Sequence, residues 1–320
     1  MQTPDLNSLL NTPLLLGTRS SPLAMAQAHE TQSRLMDATG LAVQDIQILP
    51  VTASGDRIQD RPLAEIGGKA LWTKELDRAL MLGEIDFAVH SAKDVETIRP
   101  EEITIAAVLP REDVRDVLIG AASIADLPHG ATVGTSAPRR AAQLLNARPD
   151  CKIVGFRGNV ARRLARLEAG EAHATFLAAA GLKRLGETAI GHPLDPQQWL
   201  PAPGQAAIVV ECRTADEATL ALLRKIDDAP SRESLMAERA LLAALGGNCH
   251  SPVAVLTQRV AGGLHMRATL FSPDGAERQD GEITFSPGDT HAPGRLAEHL
   301  LAEASPAIRD HFSGPEPMPR

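Results

Sequence analysis

Short runs of β-branched and aliphatic residues alternate with amphipathic stretches through the first two thirds of this chain. Many of the runs end on a turn rich in Arg, Ser, Thr or Gly. Leu14 to Leu16 reads as a strand, followed by a turn over Gly17 to Ser21. Ser21 suits a helix N-cap and Pro22 the first helical position, so a helix runs from there towards Met36 and stops near Gly40. Ile46 to Val51 reads as a second strand, and "LWTKELDRALMLG" as an amphipathic helix closed by Gly83. "DFAVH" is a buried strand that delivers "SAKD" at its C-terminal end, and "ITIAAVL" is a further strand. A second block repeats the pattern: strand "ATVGT", helix "PRRAAQLLNA", strand "KIVGF", helix "NVARRLARLEAG", then "ATFLAAAGLKRLG" as a strand turning into a helix, and strand "AAIVVEC". Such alternation implies βαβ units and largely parallel sheets. After Pro230 the pattern changes to a helix over roughly Arg232 to Leu245, a tight "GGNCHSP" loop, alternating runs, and a last helix near Arg295 to Ala304. That ending reads as a small α+β domain, so the fold class expected is α/β with an α+β C-terminal domain.

Length and composition narrow the function. At 320 residues the chain holds two or three domains. Aromatics are 2% and Tyr is absent, so the cores are aliphatic and no stacking platform for single-stranded nucleic acid is expected. A formal net charge of -8 also argues against nucleic-acid binding, and it makes any cluster of cations informative. The three cysteines, Cys151, Cys212 and Cys249, are odd in number and widely spaced, which suggests neither a disulfide framework nor a zinc site. No basic leader and no membrane-length apolar run is visible, so a cytoplasmic location away from membranes is expected.

In open α/β sheets ligands bind beyond the C-terminal ends of the strands. The turns there are "GTRSSP", "HSAKD", "GTSAPRR" and "FRGNVARR". Arg19, Arg139, Arg140, Arg157, Arg162 and Arg163 sit in or just after them. Helix N-termini attract anions, and Arg adds bidentate hydrogen bonds to carboxylate or phosphate. Arg162 and Arg163 are adjacent on one helix, so only one of them is expected to face a site. Neither a GxxxxGK[ST] loop nor a G-x-G-x-x-G turn occurs, which favours carboxylates over nucleotide phosphates. Asp94, at the end of "HSAKD", can stabilise positive charge on a substrate or exchange protons. Cys249 lies between glycines and a proline, where a thiol can be a nucleophile or attachment point. No metal site is expected. Plainer readings stand beside these: a helix Arg commonly lines a solvated face, an Asp at this place caps a helix or pairs with Lys93, and free cysteines are commonly buried and inert.

Taken together, "GTRSSPLAMAQAH", "TASGDR", "IGGKALWTKELDRALMLGEIDFAVHSAKD", "REDVRD", "VGTSAPRRAAQL", "FRGNVARRLARLEAGE", "AAAGLKRLG", "PAPGQAAIVVECR" and "ERALLAALGGNCHSPV" resemble the porphobilinogen deaminase family, in the family's order, from near Leu14 to Pro252. The resemblance implies two α/β domains like those of periplasmic binding proteins plus a small third domain. The first domain is then expected over 1–110 with 206–226, the second over 111–205 and the third over 227–320. The resemblance further implies a cytoplasmic, monomeric transferase of tetrapyrrole and heme biosynthesis. It would carry a dipyrromethane cofactor as a thioether on Cys249 and add porphobilinogen units head to tail, each with loss of ammonia, to give hydroxymethylbilane. Asp94 would be the catalytic carboxylate, holding pyrrole N–H groups and stabilising the azafulvene cation. Lys93, Ser21, Ser136, Arg139 and Arg140 would hold the cofactor. Arg19, Arg157, Arg163, Lys69, Trp72 and Arg184 would line the substrate's place.

Several positions depart from the family pattern. Trp72 stands where Phe is usual, Ala137 and Pro138 where Ser-Leu is usual, and Ala206 where Gly is usual. "VET" follows Asp94 in place of Val-Pro, and "NCHSPV" replaces the commoner loop around the cysteine. None removes a charged catalytic group. The alternatives are a non-catalytic two-lobed anion-binding protein and an inactive paralogue that binds no cofactor.

Overall fold

The computed structural model describes residues 13–51, 73–248 and 250–314. Lys69, Trp72 and Cys249 lie outside the described residues. The first elements are β1 (Leu14–Arg19), α1 (Pro22–Thr39), β2 (Ile46–Val51), α2 (Lys74–Met81), β3 (Phe87–Ser91) and β4 (Ile103–Val108). They are followed by β5 (Asp116–Ile119), β6 (Thr132–Gly134), α3 (Pro138–Ala147), β7 (Lys152–Val154), α4 (Val160–Glu168), β8 (Ala174–Ala178), α5 (Ala179–Arg184) and β9 (His192–Pro193). The last are β10 (Ile208–Arg213), α6 (Glu217–Leu223), α7 (Ala229–Ala244), β11 (Val253–Val260), β12 (Gly263–Phe271), β13 (Arg278–Phe285), α8 (Ala292–Glu303) and α9 (Pro306–Arg309). Among the described residues, one compact unit holds 13–51, 73–111 and 207–232, and the other holds 112–206, 233–248 and 250–314.

The first unit is built on a five-stranded sheet of order β2-β1-β3-β10-β4. β1 runs parallel to β2 and β3, whereas β10 is antiparallel to both β3 and β4. The sheet is therefore mixed, where the alternation of elements predicts a largely parallel one. β10 is reached after a long excursion and enters from the opposite end, a sense that no local pattern encodes. α1 begins as its caps dictate: the Ser21 hydroxyl accepts from the Ala24 N–H, Pro22 occupies the first turn, and Gly40 closes the helix at φ 78°. Its buried face joins Leu14, Leu16, Phe87, Val89, Ile208 and Val210 in a core on one side of the sheet. Leu76, Ala79 and Leu80 of α2 cover the other side with Ile85 and Ala88. Each such large side chain, taken fully out of water, contributes about 1.5–3 kcal/mol.

The α2 side also buries charge. Glu211 of β10 pairs in register with Ala88 of β3, and His90 lies two residues along the same face. The Arg99 guanidinium bridges Glu211 (Nε to Oε1 2.9 Å, Nη2 to Oε2 2.9 Å) and Asp77 of α2 (Nη1 to Oδ2 3.0 Å, Nη2 to Oδ1 2.6 Å). His90 Nε2 is 3.5 Å from Glu211 Oε2. Burial, with the Arg99 and Arg19 charges, lowers the His90 pKa from 6.5 to about 3, so at neutral pH this approach is not an ion pair.

The second unit repeats the arrangement in a five-stranded sheet of order β7-β6-β8-β5-β9, with β6 parallel to β7 and β8 and with β5 antiparallel to β8 and β9. A three-stranded antiparallel meander, β11-β12-β13, carries α8. This last region has the three-stranded sheet and helices of the small α+β domain that the sequence predicts, and it shares one compact unit with 112–206. Ala142 and Leu200 share an apolar cluster with Ala254, Leu256 and Phe271. Buried Glu238 accepts from the N–H groups of both Gly204 and Thr257.

Ala206, where a glycine is usual in the family pattern, is the one non-glycine residue with positive φ (71°) among the described residues. The left-handed conformation disfavours a Cβ. Ala206→Gly is expected to stabilise the protein by roughly 0.5–1 kcal/mol, because relief of that clash exceeds the added chain entropy, and a denaturant titration would read it. A second expectation concerns acid. Folding favours neutral His90, so its contribution is complete above pH 6.5 and fades as pH falls towards about 3. His90→Asn is expected to flatten the fall in unfolding free energy across that window, as measured by denaturation midpoints at stepped pH.

Candidate functional site

In the first unit the chemistry collects at the C-terminal ends of β1 and β3. Asp94 closes a 3-10 turn, Ala92–Asp94, that follows β3 directly. The turn is held at several points: Gln27 Nε2 donates to Ser91 Oγ at 2.8 Å, the Ala92 N–H to Ala207 O at 3.0 Å, and the Val95 N–H to Ala92 O at 3.3 Å. The Asp94 carboxylate stays accessible, with its side chain 31% exposed, and Arg19 Nη1 stands 3.7 Å from Oδ2 with 19% exposure. At 3.7 Å and this exposure the pair itself is worth no more than about 1 kcal/mol to stability. Lys93 is half-buried beside them. Ser21 is also half-buried, and its hydroxyl serves as the α1 cap.

The second unit holds the remaining residues of the expected site. Arg139 and Arg140 occupy the first turn of α3, where the sequence places them, but they do not reach outward. Both are buried against Asp116 of β5: Arg139 Nη1 to Oδ2 at 2.5 Å, Arg140 Nη2 to Oδ1 at 2.7 Å. Asp116 also accepts from Trp199 Nε1 (2.9 Å) and Gln205 Nε2 (2.9 Å). Burial opposes ionisation of Asp116, yet the two guanidiniums prevail and hold its carboxyl far below the usual carboxylate range. The physical reason for the inward turn is that a fully buried carboxylate must be neutralised and hydrogen-bonded. The triad keeps one net positive charge. The buried Nε atoms of Arg139 and Arg140 have no hydrogen bond among the described residues.

Ser136, just before α3, donates its hydroxyl to Phe156 O at 2.9 Å. Arg157 is half-buried, and Gly158 after it takes φ 103°, where a Cβ would meet Arg162 Cδ at 2.8 Å. Asn159 caps α4 by accepting from the Arg162 N–H. Arg162 then points to solvent, while Arg163 is half-buried with Nε on Gly158 O at 3.0 Å, so the two neighbours diverge as their adjacency requires. Arg184 is half-buried at the C-terminal end of α5.

Sequence reasoning did not single out Asp116, Trp199 or Gln205, nor Asp77, Arg99 and Glu211. Asp116 closes "REDVRD" and opens the apolar run "DVLI", and an acid at the head of such a run is the local signal that points to it. Arg19, Ser21, Lys93 and Asp94 group in the first unit. Ser136, Arg139, Arg140, Arg157, Arg163 and Arg184 all belong to the second.

Comparison with known proteins sets the C-terminal region apart from the two α/β sheets. Residues 14–221 match the family model for "porphobilinogen deaminase, dipyromethane cofactor binding domain", and residues 233–302 match that for the porphobilinogen deaminase C-terminal domain. A porphobilinogen deaminase of Sphingopyxis alaskensis is 53% identical over 319 residues, covering 98% of this chain and 99% of that protein. Those of Paracoccus denitrificans and Nitrobacter winogradskyi are 49% and 46% identical, covering 91% and 95% of this chain and 95% and 96% of theirs. With two family models in tandem and relatives of this identity along nearly its whole length, the chain belongs to the porphobilinogen deaminase family.

Proposed function

We propose that this chain carries out the family's reaction as a transferase of tetrapyrrole and heme biosynthesis, with Asp94 as the catalytic carboxylate. Porphobilinogen units join head to tail, each losing ammonia, and the linear tetrapyrrole hydroxymethylbilane is released. The observation that carries the reading is Asp94 itself: an accessible carboxylate on a rigidly held turn, 3.7 Å from Arg19.

The residues fit the dipyrromethane that the family domain binds. That group presents pyrrole N–H donors together with acetate and propionate carboxylates. Asp94 offers an acceptor for the N–H groups, and Arg19 and Lys93 of the same unit offer charge for the carboxylates, while Arg157, Arg163 and Arg184 enter the reading from the sequence pattern. Ser21, Ser136, Arg139 and Arg140 belong to the same reading. Arg139 and Arg140, whose Nε atoms are buried, then contribute only through the net charge of their cluster with Asp116. Cys249, Lys69 and Trp72 enter from the sequence pattern alone, Cys249 as the thioether attachment point.

Bound dipyrromethane supplies the pyrrole carbon that attacks the incoming unit. Asp94 accepts hydrogen bonds from a pyrrole N–H and so orients the ring. As the C–N bond to departing ammonia breaks, positive charge spreads over the substrate pyrrole, and the Asp94 carboxylate stabilises it. At ~4 Å that attraction is worth roughly 4 kcal/mol at an effective dielectric near 20. For the step to balance, the substrate's aminomethyl carbon would exchange its C–N bond to ammonia for the new C–C bond, and the attacking pyrrole carbon would give up its proton. The same proposal has the chain working as a monomer in the cytoplasm. Among the described residues no helix is long and apolar enough to cross a membrane.

The reading is tested by mass and turnover together. The purified chain is expected to exceed its sequence mass by one dipyrromethane, and Cys249→Ser to lose the increment; an unmodified mass in active protein would rule it out. Asp94→Asn is expected to keep fold and increment but lose turnover by about 100-fold or more. A second pair of variants separates buried from accessible arginines. Arg139→Leu leaves Asp116 short of a partner and is expected to cost about 3–5 kcal/mol of stability. Arg157→Leu is expected to raise KM for porphobilinogen with stability nearly unchanged, read from melts and steady-state kinetics on the same preparations.

A further inference from the structure

The segment that bears Asp94 starts beside one buried carboxylate and is fastened to that same carboxylate at its far end. His90, the last buried residue of β3 before the turn, faces Glu211 at 3.5 Å. Arg99, five residues beyond Asp94, is hydrogen-bonded to the same carboxylate through Nε and Nη2, both at 2.9 Å. Its remaining donors hold Asp77 of α2, and Glu96 Oε2 lies 3.9 Å from Nη1. The irregular stretch from Val95 to Pro100 is thus fastened to β10 and α2 by one guanidinium.

Stability alone is a weak reason for such a cluster. Buried ion pairs are often matched or bettered by apolar residues of the same volume, because the desolvation of each charge offsets most of the attraction. What a fork of directed bonds adds is a fixed position. The family's usual Val-Pro after Asp94 would stiffen this stretch by fixing φ, and here Glu96 stands in its place. Val95 keeps the extended geometry (φ -90°, ψ 133°) that a following proline would impose. Arg99 supplies from a side chain the restraint that a ring would supply from the backbone.

We propose that Arg99, clamped between Glu211 and Asp77, is a positioning residue that sets the Asp94 carboxylate for the reaction; this rests on the reading of Asp94 as the catalytic carboxylate. Arg99 acts through Asp94, so its effect belongs to kcat and disappears once Asp94 is disabled.

The test uses the full chain with its cofactor attached, comparing Arg99→Met, Arg99→Lys, Asp94→Asn and the double variant Asp94→Asn/Arg99→Met. Arg213→Met serves as the control. Arg213 is a similarly tied cation of the same unit, bonded to Leu80 O, Ile85 O and Asp216. Arg99→Met is expected to lower kcat by about 10- to 100-fold with KM for porphobilinogen within about threefold, as a misplaced catalytic group does. Arg99→Lys is expected to fall between it and the parent, and Arg213→Met to stay within about twofold of the parent kcat at temperatures where each is folded. In the Asp94→Asn background the added Arg99→Met change is expected to cost less than about threefold, since the group it positions is already gone. Equal losses in both backgrounds, or an Arg213→Met loss as large as that of Arg99→Met, would make the cluster structural only and overturn the proposal. If Arg99→Met does not fold, Arg99→Lys in the two backgrounds decides by the same comparison. Asp94→Asn separates the two readings: if it turns over normally, the reading of Asp94 fails and the clamp with it. If it is inactive while folded Arg99→Met matches the parent, the clamp alone is lost.

Discussion

Two carboxylates with no exposure to water, Glu211 on β10 and Asp116 on β5, decide where several arginines of this protein go. Each sits on the strand that enters its sheet against the direction of the parallel trio. Each pairs in register with a small residue of the adjoining parallel strand, Ala88 for Glu211 and Ala178 for Asp116. A lone carboxylate there would be prohibitively costly, so arginines are drawn in from remote parts of the chain to meet it. Arg99 answers Glu211, and Arg139 with Arg140 answers Asp116. These contacts fasten the turn after β3 in one unit and the start of α3 in the other, and both places bear residues of the expected site.

The parts of this arrangement that were legible in the sequence are those governed by near neighbours. Ser21, Pro22 and Gly40 mark both ends of α1 because capping is decided within a few residues. Arg19 and Asp94 could be placed because strand ends are visible in the alternation and ligands gather beyond them. The direction of β10 was not visible, since it depends on how the chain returns after a long excursion, nor was that of β5, which is set against β8 far along the chain. The burial of Arg139 and Arg140 was equally hidden. Their partner lies more than twenty residues earlier, and the partner of Arg99 lies 112 residues later. Local pattern marks an arginine in a first helical turn as ready for an anion; only the folded sheet shows that the anion is the protein's own.

Departures from the family pattern take on meaning at the same level. Ala206 is held in a conformation suited to the glycine it replaces, so the backbone there follows the family and the side chain is what differs. Ala137 caps α3 without a side-chain acceptor. The Thr135 hydroxyl takes the Ala137 N–H instead, and Pro138 brings no N–H to satisfy. Glu96 lacks the backbone restraint of a proline in a stretch where a buried side-chain restraint is found.

Exposure then separates arginines that hold the fold from those that can serve chemistry. Arg139 and Arg140 keep 5% of their side chains open and have Asp116 as a permanent counter-ion, so removing either leaves a buried charge unbalanced. Arg19 keeps 19% and faces a carboxylate that is itself a third open, so this one contact adds little to stability. A substrate that brings its own carboxylates and N–H donors can displace that loose contact at small cost, each partner exchanging one opposite for another. It could not do the same at Asp116 without undoing the second sheet. The proposed catalytic role is therefore argued for Asp94, whose carboxylate is exposed, rather than for Asp116, which is sealed from water.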